Sequence, residues 1–296
     1  MKFIPIPFSV ILFLFSLSYA QENWLLSSEF SLSATFNSNS QNWNSRDAGS
    51  VVWIGRLDNT IEKQLSSKIH SENTIRLGFG QTMVKSKDDQ SWSSPQISTD
   101  LLDIQSILKY SVNGIIDPFT SFRATSQFYD ERDENNIRFL NPLTLTQSFG
   151  MSRDIIKSPS LFWRMRLGGA FRTKFDRDTL EYISQGNQRI PGDSYQTSII
   201  TDGGTELVSE FRFRHDELLT LSAKLVLYEA LMRSGELNNN YWRYPEISWE
   251  NNVRLWLTEN ITFNYLMQVL YDREVHKKPR FRQIFSAGVT FSLSNR

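Results

Sequence analysis

The segment from Leu161 to Phe175, LFWRMRLGGAFRTKF, alternates charged and apolar side chains. Arg164, Arg166, Arg172 and Lys174 are separated by residues such as Trp163 and Met165. Successive side chains of an extended strand point to opposite faces, so this pattern predicts a strand with one apolar and one charged face. Any fold of this chain must therefore give the two faces of the strand different surroundings.

The same period of two recurs along the chain and predicts about twelve strands. The connections between them alternate in length, because long polar loops follow the odd strands and short turns such as SSKIHSEN and IKSPS follow the even ones. The long loops are predicted roughly at residues 37–49, 86–99, 131–141, 177–203, 231–244 and 272–280.

Short turns at one end and long loops at the other are typical of outer-membrane β-barrels. The predicted strands, at about 12 to 15 residues, are long enough to cross a bilayer when tilted. A soluble β-sandwich is the alternative, although its strands are usually fewer and shorter. The sequence therefore predicts an all-β fold, a single antiparallel transmembrane β-barrel of about twelve strands over residues 21–296, with periplasmic turns and extracellular loops.

Residues 1–20, MKFIPIPFSVILFLFSLSYA, predict a secretory signal peptide that is cleaved after Ala20. An uncleaved anchor helix is the alternative, but the apolar run is short for a membrane span. The chain has no Cys, which excludes disulfides and a lipoprotein cysteine. Lys plus Arg and Asp plus Glu both number 32, and this balance argues against a nucleic-acid partner.

Charged side chains lie opposite the apolar faces of most predicted strands. A charge that faces lipid near the bilayer midplane costs about 2–4 kcal/mol, so these side chains are expected to face the lumen. Basic residues outnumber acidic ones among them, which favours a mildly basic lumen and a small anionic solute, whereas pairing of opposite charges would fill the barrel. The predicted lining residues are the basic Arg123, Arg164, Arg166, Arg172, Lys174, Arg212, Arg214, Lys224 and Arg254 and the acidic Glu29, Asp58, Glu206, Glu210 and Glu250.

Four tryptophans fall near predicted strand ends, where an aromatic girdle is expected at the membrane interfaces. Trp24 and Trp163 are predicted at the periplasmic side, and Trp53 and Trp249 at the outer side. Asn251 falls in the middle of a predicted lipid-facing row, which predicts a β-bulge or a one-residue register change nearby.

An outer-membrane lipid hydrolase of the phospholipase type is an alternative function, since such enzymes use a Ser and His pair on a barrel wall. The three histidines are predicted off the strand walls: His70 and His215 in periplasmic turns, and His276 in the last outer loop. No GxSxG motif is present, and no catalytic residue, metal ligand or cofactor is predicted. A scaffold or adhesin that acts through the outer loops is a further alternative.

The segments FNSNSQNWN, IRLGFGQTMV, NPLTLTQSFGM and FRQIFSAGVTFSL resemble an exported family catalogued as domain of unknown function 3078, found mostly in Bacteroidota and related bacteria. Members often carry GG soon after NW, whereas Trp43 is followed here only by the single Gly49. A second outer-membrane family, catalogued as domain of unknown function 481, is the nearest competitor.

The resemblance implies the outer membrane of a Gram-negative bacterium and brings no substrate or catalytic residue. A passive small-solute channel or a structural barrel is therefore expected, with outer-membrane lipid and the barrel-assembly machinery as partners.

Overall fold

A computed structural model describes residues 24–38, 47–112, 114–130, 138–179, 182–185, 188–191, 195–234 and 240–294, so the predicted signal peptide lies outside the described residues. Twelve strands form one closed antiparallel barrel, which confirms the predicted fold class. The barrel strands are β1 (Leu25–Ser38), β2 (Asp47–Gln64), β3 (Ile69–Ser86), β4 (Gln96–Tyr110), β5 (Asp117–Ser126), β6 (Leu143–Lys157), β7 (Leu161–Thr179), β8 (Tyr195–His215), β9 (Leu219–Arg233), β10 (Glu246–Trp256), β11 (Ile261–Tyr271) and β12 (Arg280–Ser294).

Each barrel strand pairs with the next one along the chain, and β12 pairs with β1 to close the sheet. At the closure Ser27 pairs with Ser294 and Ala34 with Ala287. Closure leaves no open edge on which another strand could pair. Two small hairpins lie outside the barrel wall, formed by Tyr129–Asp130 with Arg138–Phe139 and by Tyr182–Gln185 with Gln188–Pro191. In the described residues, no helix has the length and apolar character needed to span a membrane.

The connections alternate in length as predicted, and we name the two ends of the barrel after them. The turn end carries the turns at residues 65–68, 158–160, 216–218 and 257–260 and the link at 111–116, whereas the loop end carries the longer connections. Ser66, Ser158 and Thr258 shape three of the turns, because each side-chain oxygen accepts the backbone N–H three residues later at 3.1, 3.0 and 3.0 Å. These hydroxyls stabilise short reversals without glycine.

Several strands extend beyond their predicted ends at the loop end. The predicted loop at 177–203 is wrong at both flanks, because β7 continues to Thr179 and β8 already begins at Tyr195. Ile199 pairs with Phe175 in this extension, and the hydroxyls of Thr173 and Thr201 lie 3.2 Å apart. A two-stranded ribbon is held by backbone hydrogen bonds and polar cross-strand pairs, so its residues need not alternate in polarity.

The predicted bulge near Asn251 is also wrong. Asn251 lies on β10 and pairs in regular register with Ala223 on β9 and with Met267 on β11. Its small neighbour Ala223 leaves room for one partly buried amide without a change of register. In the described strands the register shifts occur instead at Asp47/Gly49, Gly80/Gln81, Asp154/Ile156 and Gly203/Gly204.

The outward face of the barrel is an apolar belt. Large apolar side chains stand exposed around the wall, and such a continuous surface is stable only when another apolar phase covers it. The belt includes Leu32, Ile104, Leu108, Phe122, Phe149, Met151, Leu167, Phe171, Trp249, Phe281, Phe285, Val289 and Phe291.

Candidate functional site: the lumen

Ion pairs between distant strands show which face of the wall is the inside. Arg164 on β7 places its Nη1 2.8 Å from Oε2 of Glu72, which lies on β3, four strands away around the barrel. Arg172 on β7 reaches Glu246 on β10 at 2.6 Å. Such contacts can only cross the lumen, so the charged face of β7 points inward and its apolar face outward, as its alternation predicts.

A cavity of about 1920 Å³ occupies the turn-end part of the lumen. It opens between turn residues such as Ser158 and Asn260 and extends inward to Thr99 and Arg282. Ten basic and eleven acidic side chains line it, so the lining does not show the predicted basic excess. They are Arg56, Arg76, Lys109, Lys157, Arg164, Arg212, Arg214, Lys224, Arg254 and Arg282, and Glu29, Asp58, Glu62, Glu72, Asp100, Asp103, Glu210, Asp216, Glu217, Glu250 and Glu259.

The Asp103 carboxylate is the centre of one ion-pair group in the cavity wall. Only 3% of its side chain is exposed, and it accepts hydrogen bonds from Arg76 at 2.5 Å and from Arg123 at 2.8 Å. Arg76 also lies 3.5 Å from Glu250 on the opposite wall. Charge-assisted bonds of this kind compensate for the removal of the carboxylate from water. We refer to these residues as the Asp103 group.

Two further ion-pair groups lie in the neighbouring wall. Arg164 bridges Glu72 and Asp154, and Asp154 also accepts from Lys109 at 3.1 Å. Glu210 lies between Arg166 at 3.1 Å and Lys224 at 3.4 Å. Most carboxylates in the middle of the lumen therefore already have a basic partner.

Towards the loop end, described side chains from several strands contact one another across the lumen. Arg172 donates to Glu246 at 2.7 and 2.6 Å and to Asp202 at 3.0 Å, and its guanidinium carbon lies 3.6 Å from the centre of the Tyr228 ring. The Tyr228 hydroxyl donates to Asp202. Trp242 packs against the buried cluster of Ala170, Tyr228 and Ala230. We call Arg172, Asp202, Tyr228, Trp242 and Glu246 the loop-half layer.

Glu246 also belongs to an acidic cluster with Asp272 and Glu274, whose oxygen atoms lie within 4.8 Å of one another. Arg172 binds Glu246, and Arg233 binds Glu274 at 2.6 Å. These arginines already supply the positive charge that a cation would bring to the cluster.

The structure places the predicted lining residues at three levels of the lumen. Arg164, Arg212, Arg214, Lys224, Arg254, Glu29, Asp58, Glu210 and Glu250 line the cavity. Arg123 and Arg166 form ion pairs at its border, and Glu206 accepts from Ser148 at 3.3 Å. Arg172 lies in the loop-half layer, whereas Lys174 pairs with Asp176 at 3.4 Å near the loop end and remains 48% exposed.

Among the acidic partners that were not predicted from the sequence are Glu72, Asp154, Asp202 and Glu246. Glu72 and Asp202 lie where a predicted turn and a predicted loop extend over what is a strand, and Asp154 and Glu246 lie near the ends of β6 and β10. The alternation at Glu72, Thr74 and Arg76 was the signal that could have found the first of them. Because these partners are all acidic, their omission contributes to the predicted basic excess.

The predicted girdle tryptophans lie on the wall as follows. Trp24 precedes β1 at the turn end, with the Lys63 ammonium 4.6 Å from its ring centre. Trp163, also near the turn end, donates from Nε1 to Ser209 at 3.1 Å. Trp53 packs edge-on against Phe79 at 5.9 Å, and Trp249 is 42% exposed in β10. Trp43, which the sequence places in a loop, lies outside the described residues.

Two histidines predicted in turns are strand residues: His70 near the start of β3, and His215 at the end of β8. His70 is the second residue of β3 rather than part of a turn, and it lines the cavity mouth 3.6 Å from Glu62 and 3.3 Å from Gln64. His215 lies 3.6 Å from Asp216, and His276 contacts the backbone of Lys278. Within the described part of the chain, none of these ring contacts involves a serine hydroxyl, so the hydrolase alternative has no contact in its favour.

No family model and no curated protein matches the chain. Solved barrel structures are similar to it. An outer-membrane channel from Pseudomonas putida F1 is 12% identical, over 93% of this chain and 96% of that chain, with a TM-score of 0.42. The translocator domain of the autotransporter NalP from Neisseria meningitidis is 8% identical, over 96% and 93%, with a TM-score of 0.35. OprB from Pseudomonas putida is 9% identical, over 92% and 94%, with a TM-score of 0.34. At these identities the likeness concerns the fold alone.

Proposed function

We propose that this chain is an outer-membrane β-barrel that passes small polar solutes through its lumen, with passage restricted by the loop-half layer. The apolar belt on the outward face supports a lipid environment, because exposed apolar rows of this extent are unfavourable in water. The alternation of short turns with long loops supports periplasmic turns and outer loops. A cleaved signal peptide, insertion by the barrel-assembly machinery and membership of the family of unknown function 3078 belong to the same proposal.

The observation that carries the proposal is the contrast between the cavity and the layer above it. A cavity of about 1920 Å³ that opens at the turn end and is lined by charges of both signs is suited to hydrated, polar solutes. A barrel with a purely structural role has no need of such a space, since side chains can fill a narrow lumen. The loop-half layer lies between this cavity and the loop end.

Conductance of the refolded protein in planar bilayers tests the proposal. We expect the wild type to show small channel events and Trp242→Ala to increase the unitary conductance severalfold, because truncation removes the ring that covers Ala170 and Tyr228. Trp249→Ala is the matched control, since its ring stands on the outward face and its loss leaves the lumen unchanged.

Folding of each variant is checked by heat-modifiable migration in gels. If Trp242→Ala folds and inserts but neither it nor the wild type conducts, the channel proposal is wrong and a structural barrel remains. Equal conductance of Trp242→Ala and the wild type would move the restriction away from the loop-half layer.

A further inference from the structure

Two arginines at the inner end of the cavity differ from most of the lumenal cations. In the described residues, no carboxylate lies within 4.0 Å of the guanidinium of Arg56 or of Arg282, whereas Arg76, Arg123, Arg164, Arg166, Arg172 and Arg254 all have such a partner. The nearby Glu250 is already engaged by Arg76 and by Gln268 at 2.8 Å. Arg56 and Arg282 therefore form no ion pair in the described wall, and the acidic groups that act on Arg56, Asp58 and Glu250, do so from beyond ion-pair distance.

The two arginines meet around a gap in the wall at Gly78. Arg282 extends from β12 across the lumen to β4, where its Nη2 donates to the Ser98 carbonyl at 2.7 Å and to the Thr99 hydroxyl at 2.8 Å. A Cβ atom at Gly78 would lie 3.6 Å from Cγ2 of Thr99 and 3.8 Å from Cγ of Arg56. Gly78 thus leaves a gap about the size of one methyl group, bordered by Arg56, by the Arg282-bound Thr99 and by Cβ of Leu101 at 3.6 Å.

All of these residues face the cavity: Arg56, Gly78, Thr99 and Arg282 each line it. Arg56 and Thr99 both border Gly78, and Arg282 binds Thr99, so the two basic side chains share this part of the cavity. Two neighbouring cations that point into a solvent-filled space, next to a hydroxyl, are the arrangement that binds an oxyanion through charge-assisted hydrogen bonds.

We infer that Arg56, Arg282, Thr99 and the gap at Gly78 form a binding site for a small oxyanion, such as the phosphate or carboxylate group of a solute. The inference names the solute class of the proposed channel and to that extent rests on it. The charge of the lining is balanced as a whole, so the preference for anions comes from this place, where two basic side chains without an ion pair lie next to the same glycine. An incoming oxyanion would receive hydrogen bonds from both arginines.

Phosphate binding to the refolded protein in detergent tests the site without any membrane current. Inorganic phosphate is titrated at constant ionic strength and followed by ³¹P NMR line broadening, with acetate as the carboxylate probe. We expect Arg56→Gln and Arg282→Gln each to weaken phosphate binding about tenfold, as the loss of a hydrogen bond between charged partners predicts. Gly78→Ala is expected to weaken it similarly, because its methyl group fits at ordinary contact distances and fills the gap.

Arg212→Gln is the matched comparison, because Arg212 is an exposed lumenal arginine on the opposite wall with no carboxylate within 4.0 Å in the described part of the chain. It should change phosphate binding less than twofold. Equal weakening by Arg212→Gln, or unchanged binding in Arg56→Gln and Arg282→Gln, would overturn the site. A wild type that conducts but binds no phosphate refutes the site alone, whereas binding without conductance refutes the channel alone.

Discussion

The two halves of the lumen are built from the same kinds of residues but have different contents. In the turn half, charged side chains pair along the walls and leave a cavity of about 1920 Å³. In the loop half, Arg172 alone contacts two carboxylates and a tyrosine ring, and Trp242 covers the adjacent wall. Ion pairs across several strands occur in both halves, as Arg164 with Glu72 and Arg172 with Glu246 show, but in the loop half the Tyr228 ring lies against Arg172 and Trp242 packs on Tyr228.

The contrast also shows that alternating charge does not by itself make a pore. A guanidinium that pairs with an adjacent strand stays close to the wall, as Arg123 does with Asp103. A guanidinium that extends three or four strands away, as Arg172 and Arg164 do, spans part of the lumen. The width of the passage therefore depends on partner choice more than on the number of charges.

The largest expected effect compares one arginine from each half. Arg172→Ala leaves Glu246 and Asp202 without their shared cation, so we expect the free energy of unfolding to fall by about 3 kcal/mol. Arg212→Ala in the turn half removes an exposed side chain without an ion pair, and a change within about 0.5 kcal/mol is expected. Urea unfolding in lipid vesicles measures both. Equal losses of unfolding free energy in Arg172→Ala and Arg212→Ala would mean that the ion pairs of Arg172 do not stabilise the loop half.

An intermediate effect is expected near the junction of the two halves of the lumen, at Gly168 and Gly169 of β7. A Cβ at Gly168 would lie 2.1 Å from the Phe149 carbonyl oxygen, so Gly168→Ala forces β6 and β7 apart. We expect a loss of about 1–3 kcal/mol in unfolding free energy, as for other overpacked sites.

Gly169→Ala is the matched control for this change. Its Cβ would meet only the edge of the exposed Phe149 ring, at 3.3 Å, and the ring can move away towards the outside. We expect its unfolding free energy to stay within about 0.5 kcal/mol of the wild type. A loss as large as that of Gly168→Ala would show that backbone proximity is not what requires glycine at 168.

The smallest expected effect concerns a charge outside the barrel, in the loop after β3. Hydrogen bonds from Ser86 and Ser91 lower the pKa of the Asp89 carboxyl to about 2. Because the folded pKa is depressed, the stabilisation from these bonds is present above the unfolded value of about 3.9 and is lost as the pH falls towards 2. An NMR titration of the Asp89 carboxyl should show this pKa, and Ser91→Ala should raise it.

Ser93→Ala is the control for the Asp89 titration. The Ser93 hydroxyl accepts the backbone N–H of Val84 at 3.0 Å and has no described contact with Asp89. It should leave the Asp89 pKa unchanged, and an equal rise in both variants would attribute the shift to the loop backbone instead of the hydroxyl.

The alternation of apolar and polar residues along each strand predicted more of the fold than any single sequence motif did. In β7 it assigned Arg164, Arg166 and Arg172 to the inside and Trp163 and Leu167 to the outside, which the cross-lumen contacts place in the same way. It was less informative at strand ends, where polar residues pair as a ribbon and no change of surroundings marks the boundary. The acidic partners at those ends were missed for this reason.

The contacts that decide the content of the lumen could not be predicted at all. Arg164 and Glu72 are 92 positions apart, and Arg282 and Ser98 are 184 apart. Which of these residues share a level inside the barrel depends on strand tilt and stagger, and both are set only when the sheet closes.

The sequence by itself determined that this chain forms a closed barrel with an apolar outside and a charged inside. Successive side chains of a strand point to opposite faces, so the alternation within each strand specifies which side chains face outward and which face the lumen. Only the tertiary structure decided which charges meet. Closure brings β3, β7, β10 and β12 face to face across the lumen, and their side-chain lengths and heights leave a cavity in the turn half, a layer of contacting side chains in the loop half and two arginines without an ion pair between them.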